Sequence, residues 1–143
     1  MGRAVWRLRR RVGKRGTALL VFAGLDIAYA LRLATARPDG QTIYAWLADP
    51  LPLWPWAALW AAVAVVCTLG SVRAFDRAAF TAAIGIKVLW CSLYLSGWAL
   101  GAVQDGWAQA AIWGAFALVV WLVAGWPEPI TRQGHPAWTP PSE

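Results

Sequence analysis

The chain has 143 residues, of which 59% are hydrophobic and only 14% charged, with a formal net charge of +6. A water-soluble domain carries about a quarter charged residues, whereas the apolar residues here gather into runs of roughly 18 or more separated by short polar joints. These features exclude a soluble globular domain and predict an all-α, polytopic membrane protein, a bundle of four transmembrane helices over residues 17–126.

The chain opens on a basic tail, residues 1–16, in which Arg3, Arg7, Arg9, Arg10, Arg11, Lys14 and Arg15 cluster. Directly before a hydrophobic helix, such a cluster pins its end to an anionic membrane surface, so it is read as a lipid contact and not as a nucleic-acid site. The first span is expected at 17–34, TALLVFAGLDIAYALRLA. Its basic flank and the following Ala34-Thr35-Ala36 look like a cleavable signal. However, Asp26 interrupts the apolar core and Pro38 sits just past the small residues, which favours a retained helix.

A loop follows. Asp39 is placed to cap a short helix from Gln41 to Ala48, with Ile43, Tyr44 and Leu47 on one side and Asp49-Pro50 ending it. Tyr44, Trp46, Trp54 and Trp56 mark a membrane–water boundary, where amphipathic rings prefer to sit. The segment reads either as a surface-lying or re-entrant piece or as an ordered loop with aromatic anchors.

The second span is expected at 54–71, with Pro55 in the first turn, where its missing N–H costs nothing. Ala57 and Ala61, like Ala58 and Ala62, are small pairs at a spacing suited to close helix contact. After a joint carrying Arg73 and Arg77 comes the third span, 78–103, with Lys87 near its middle. Lys87, Cys91, Tyr94 and Trp98 share one side of it, while Gly85, Ser92 and Ser96 lie opposite, the pattern of a central helix. Gly97 and Gly101 form a GxxxG pair, predicted to permit close packing. The Gln104-Asp105-Gly106 turn makes the third and fourth spans an antiparallel hairpin, and the fourth, 107–126, stops at Pro127. Residues 127–143 are Pro-rich and polar and are expected to be disordered.

Ten basic residues flank the spans on the N-terminal side of the membrane and two, Arg32 and Arg37, on the other. The positive-inside rule then puts both termini in the cytoplasm and the protein in the cytoplasmic membrane.

Chemistry is concentrated in two intramembrane charges. Asp26 and Lys87 lie ten to eleven residues into helices entering from the same side, or roughly 15–16 Å at 1.5 Å per residue. Opposite charges at one depth should pair, since an unpaired charge there costs on the order of 3 kcal/mol. Tyr29 shares a face with Asp26, and with Tyr94 it completes a candidate polar network. The pair reads either as an ion lock fixing the bundle or as part of a proton or ion pathway. By helical rise, Cys67 and Cys91 stand too far apart in depth for a disulfide. Ser92 and Ser96 have no histidine partner, His135 stands alone, and no phosphate loop, nucleophile elbow, zinc motif or dinucleotide turn is present. No enzyme, metal or cofactor is expected. The expected partners are the lipid bilayer and either further copies of the chain or another membrane protein.

The runs GLDIAYAL, FDRAAFTAAIGIKVLWCSLYLSGW and AIWGAFALVVWLVAGWPEP, within Leu19 to Pro129, resemble the small four-span membrane proteins of actinobacteriophages. That resemblance implies a holin-like role, permeabilising the host cytoplasmic membrane by oligomerisation. Two other readings stand beside it: a scaffold or accessory subunit binding another membrane protein, and a small ion or proton conductor.

Overall fold

The computed structural model describes residues 2–37, 42–72 and 76–127, with side chains from residue 13 onward. The side chains of Arg7, Arg9, Arg10 and Arg11, the residue Asp39 and the tail from residue 128 lie outside the described residues. Five helices follow in order: α1 Gly2–Thr35, α2 Ile43–Ala48, α3 Leu53–Val72, α4 Asp76–Ala99 and α5 Gly106–Ala124. α1 is broken at Gly13, which has non-helical backbone angles. Four stretches, Gly13–Thr35, Leu53–Val72, Asp76–Ala99 and Gly106–Ala124, are long and apolar enough to cross a membrane. The architecture is that of a multi-pass membrane protein, an all-α bundle of four spans.

Unlike a soluble bundle, this one turns large apolar side chains outward. Val21, Leu31, Val65, Leu118 and Trp121 are all more than half exposed, as suits helices whose surroundings are hydrocarbon. The interior holds Leu19, Phe22, Trp60, Phe80, Trp90 and Val120. α1 approaches α3 most closely, α4 pairs with α5, and α4 touches each of the other four helices. The third span is therefore central, as expected, but not through both of its marked faces. Its Gly85, Ser92 and Ser96 face, however, is exposed, and Ser92 satisfies its hydroxyl on the Val88 carbonyl of the preceding turn.

Three expectations change. The cap of α2 is Thr42, whose side chain accepts from the Ala45 N–H, instead of Asp39. On α3, Ala57 is buried but Ala61, Ala58 and Ala62 are exposed, so the predicted Ala57/Ala61 contact is not formed. The third span ends at Ala99, not Val103, and the Gly97/Gly101 pair is not a helix-packing motif. The Gly101 N–H bonds to the Trp98 carbonyl and the Ala102 N–H to that of Gly97. Gly101 thus supplies the left-handed residue, φ 72°, of a Schellman helix end. Val103 folds back over Gly97, where a Cβ would lie 2.6 Å from its Cγ2.

The close approach in the α4–α5 hairpin is made by a different glycine. A Cβ at Gly106 would lie 2.6 Å from the Tyr94 carbonyl oxygen and 2.8 Å from the Trp98 Cβ. Only a residue without a side chain lets the start of α5 sit this near the backbone of α4.

Candidate functional site: the intramembrane ion pair

Asp26 belongs to the inward face of α1 with Phe22, Ala23, Ala30 and Leu33, all buried; Lys87 belongs to that of α4 with Ala83, Ile86 and Trp90. Helical periodicity leaves both charges nowhere to point except the core. There Lys87 Nζ donates to Asp26 Oδ1 at 2.5 Å, with the two side chains 1% and 0% exposed. The ammonium also stands 5.2 Å from the centre of the Trp60 ring, whose electron-rich face adds to its stabilisation. The second carboxylate oxygen, Asp26 Oδ2, is buried without a hydrogen-bond partner. Burying two charges is expensive, and their attraction offsets this only while both are present. Removing one partner of such a pair costs about 3–5 kcal/mol.

One turn further along, the Trp90 indole N–H donates to the Tyr29 hydroxyl oxygen at 2.6 Å. Tyr29 therefore joins the network as an acceptor for tryptophan rather than as a donor to the charges. Its ring packs 4.5 Å from Trp60, 5.5 Å from Trp90 and 5.0 Å from Trp113, giving one aromatic cluster drawn from α1, α3, α4 and α5. Tyr94 is buried as well and its hydroxyl interacts with that of Tyr29, so the two tyrosines are linked; both stand in the wall of a cleft at the end of the bundle.

Three turns the other way lies a second ion pair, which the sequence reading missed. Arg15 Nη2 of α1 meets Asp76 Oδ2 of α4 at 2.9 Å, the side chains 18% and 28% exposed, and the guanidinium also lies over the Phe80 ring, 5.2 Å from its centre. The polarity is crossed: in the outer pair α1 contributes the cation, in the inner pair the anion. Asp26 follows Arg15 by eleven residues and Lys87 follows Asp76 by eleven, about three helical turns, so each helix presents both its charges on one face. The Lys87–Asp26 and Trp90–Tyr29 contacts share a sequence offset of 61, and Asp76 stands at that same offset from Arg15. α1 and α4 thus run parallel in one register, joined by long side chains across a gap.

No protein-family model, curated protein or solved structure matches this chain. What the site can do has to come from its own geometry.

The pair is a fixed, mutually neutralised charge. Both cysteines are free, Cys67 buried and Cys91 half-buried, and the Cys67 thiol points to the Ala79 carbonyl at 3.8 Å. Among the described residues no cluster of histidine, cysteine, aspartate or glutamate could hold a metal ion. Lys14 is exposed at the basic end of the bundle. The outer pair was legible in principle, because an aspartate in the first turn of α4 repeats the spacing of the inner one. The roles of Trp60, Trp90 and Trp113 carried no such signal among 12 tryptophans.

Proposed function

We propose that this protein is a non-enzymatic membrane scaffold or accessory subunit, a prefolded four-span unit that acts by lateral association with another membrane protein. The observation carrying this reading is the complete enclosure of Asp26 and Lys87 within one chain. A charge neutralised inside the bundle makes each copy self-sufficient and leaves an apolar outer surface for lipid and neighbours. The sequence bias of basic residues orients it with both termini in the cytoplasm, in the cytoplasmic membrane. The test is to purify the chain in mild detergent and capture what accompanies it from its own membranes. A stable monomeric bundle that brings down one stoichiometric membrane partner is the expected result; obligate self-assembly with no partner contradicts it.

The holin-like reading keeps one observation in its favour. Ala58, Ala61 and Ala62 are exposed on α3, and such small residues suit contact between copies. Because the inner charges are already paired, any lesion would be built from intact bundles rather than from opened ones. Induced expression that abruptly collapses the membrane potential supports it, and cells that tolerate high expression with the potential intact exclude it. A conducting role would have to begin at the partnerless Asp26 Oδ2; proton flux in liposomes unchanged by Asp26→Asn rules out that route.

A further inference from the structure

At the end of the bundle away from Arg15 and Asp76, an open cleft of about 350 Å³ lies beside α2, the α4–α5 turn and the first turns of α5. Four aromatic residues, Tyr29, Tyr44, Tyr94 and Trp113, line it, together with the exposed Gln104 and Gln109. The volume falls at the small end of the range for ligand pockets, roughly 300–1,000 Å³.

The lining chemistry is selective. Among the described residues no charged side chain lines the cleft, so these offer no direct counter-charge to an ionic ligand. A cation is further disfavoured by Arg32, whose Nε donates to the Tyr44 hydroxyl at 3.3 Å and whose guanidinium lies over the Tyr44 ring at 5.6 Å. What remains is flat aromatic surface beside uncharged groups that both donate and accept. Glutamine amides are of this kind; the Tyr29 and Tyr44 hydroxyls already accept from Trp90 and Arg32, whereas among the described residues neither glutamine amide is engaged by another side chain. Sugars present the complementary surface, with C–H faces that lie against rings and hydroxyls that exchange hydrogen bonds with amides.

The rings are also held in place before any ligand arrives. Tyr29 is fixed by the Trp90 indole and by contacts with Trp60 and Trp113, and Trp113 packs in turn on Trp60 and Phe116. Preorganised surfaces spend little binding free energy on ordering. Thr42, Ile43, Tyr44, Val103 and Gln104 lie beyond the ends of the spans, which places the mouth of the cleft toward the lipid headgroups.

We propose that this cleft binds the sugar headgroup of a membrane glycolipid. The inference is independent of the scaffold reading, since it rests on a different end of the bundle.

The test compares retention of a monohexosyl diacylglycerol with that of the diacylglycerol bearing the same acyl chains, by native mass spectrometry of the full chain released from mixed micelles. The expected result is a preference of roughly tenfold or more for the glycolipid. Gln109→Ala, at an exposed position with no side-chain partner, should reduce that preference roughly three- to tenfold while leaving the fold intact. Displacement by millimolar free methyl hexoside supports the site and shows that the headgroup alone suffices. Preference without displacement supports it and shows that the acyl anchor contributes. Equal retention of the two lipids, or a preference unmoved by the Gln104→Ala, Gln109→Ala double variant, overturns the proposal.

Discussion

Two of the bundle's seams are built on opposite principles. Between α1 and α4 the helices stand apart, and long side chains reach across: two ion pairs of crossed polarity and a tryptophan–tyrosine hydrogen bond. Between α4 and α5 the backbones nearly touch, and the determining residue is one with no side chain at all, Gly106. The first seam specifies register electrostatically: sliding α4 along α1 by one turn would separate every donor from its acceptor. The second specifies it sterically, since the start of α5 can reach α4 only where a Cβ is missing. Inside a membrane, where lipid tails are as apolar as leucine, burial of apolar surface distinguishes poorly between helix arrangements. Both seams supply the specificity that hydrophobicity cannot.

Breaking the polar seam at its centre should have the largest effect. Asp26→Ala or Lys87→Ala each strands a buried charge and should lower stability by about 3–5 kcal/mol, measured by SDS-titrated unfolding in mixed micelles. The Asp26→Leu, Lys87→Met double variant removes both charges and should recover most of that loss. A double variant as unstable as the two singles combined would show that the pair does not act as a unit.

The steric seam comes next. Gly106→Ala drives a methyl group against the Tyr94 carbonyl, a backbone atom that cannot rotate away, and should cost about 1–3 kcal/mol. Gly101→Ala instead strains only the Schellman turn and should cost roughly 1 kcal/mol. Equal penalties at the two positions would mean that turn geometry, rather than helix contact, governs the hairpin.

Tyr29→Phe removes the acceptor for the Trp90 indole and leaves a buried donor unsatisfied, for an expected loss of about 1–3 kcal/mol. The same titration reads it, and indole hydrogen exchange at Trp90 should rise. The smallest effect belongs to the outer rung. Arg15 and Asp76 are partly solvated, so Asp76→Asn should cost no more than about 1 kcal/mol, and less at high salt.

Much of this was written in the chain. Four spans follow from composition and hydropathy, because a bilayer leaves a backbone few ways to satisfy its hydrogen bonds. The Asp26–Lys87 contact follows from depth alone, since only two charges lie deep in the apolar runs. The helical hairpin follows from the brevity of Gln104-Asp105-Gly106. The α2 helix was recovered through Ile43 and Leu47, although its cap proved to be Thr42.

Other features look identical in sequence and differ only in space. Gly97-x-x-x-Gly101 is spelled as a packing motif, yet the helix ends between its two glycines, and the close contact falls to Gly106 instead. Ala57 and Ala61 are the same residue one turn apart, one buried and one exposed, because a helix packs along a stripe narrower than its small residues. Sequence by itself determined how many helices cross the membrane and that the two deep charges, Asp26 and Lys87, must meet, both being set by length, hydropathy and depth. Only the tertiary structure decided which small residues touch and which of the tryptophans share a core. Those choices depend on how each helix is rotated about its axis, and apolar residues on every side leave that rotation unspecified until neighbouring helices fix it.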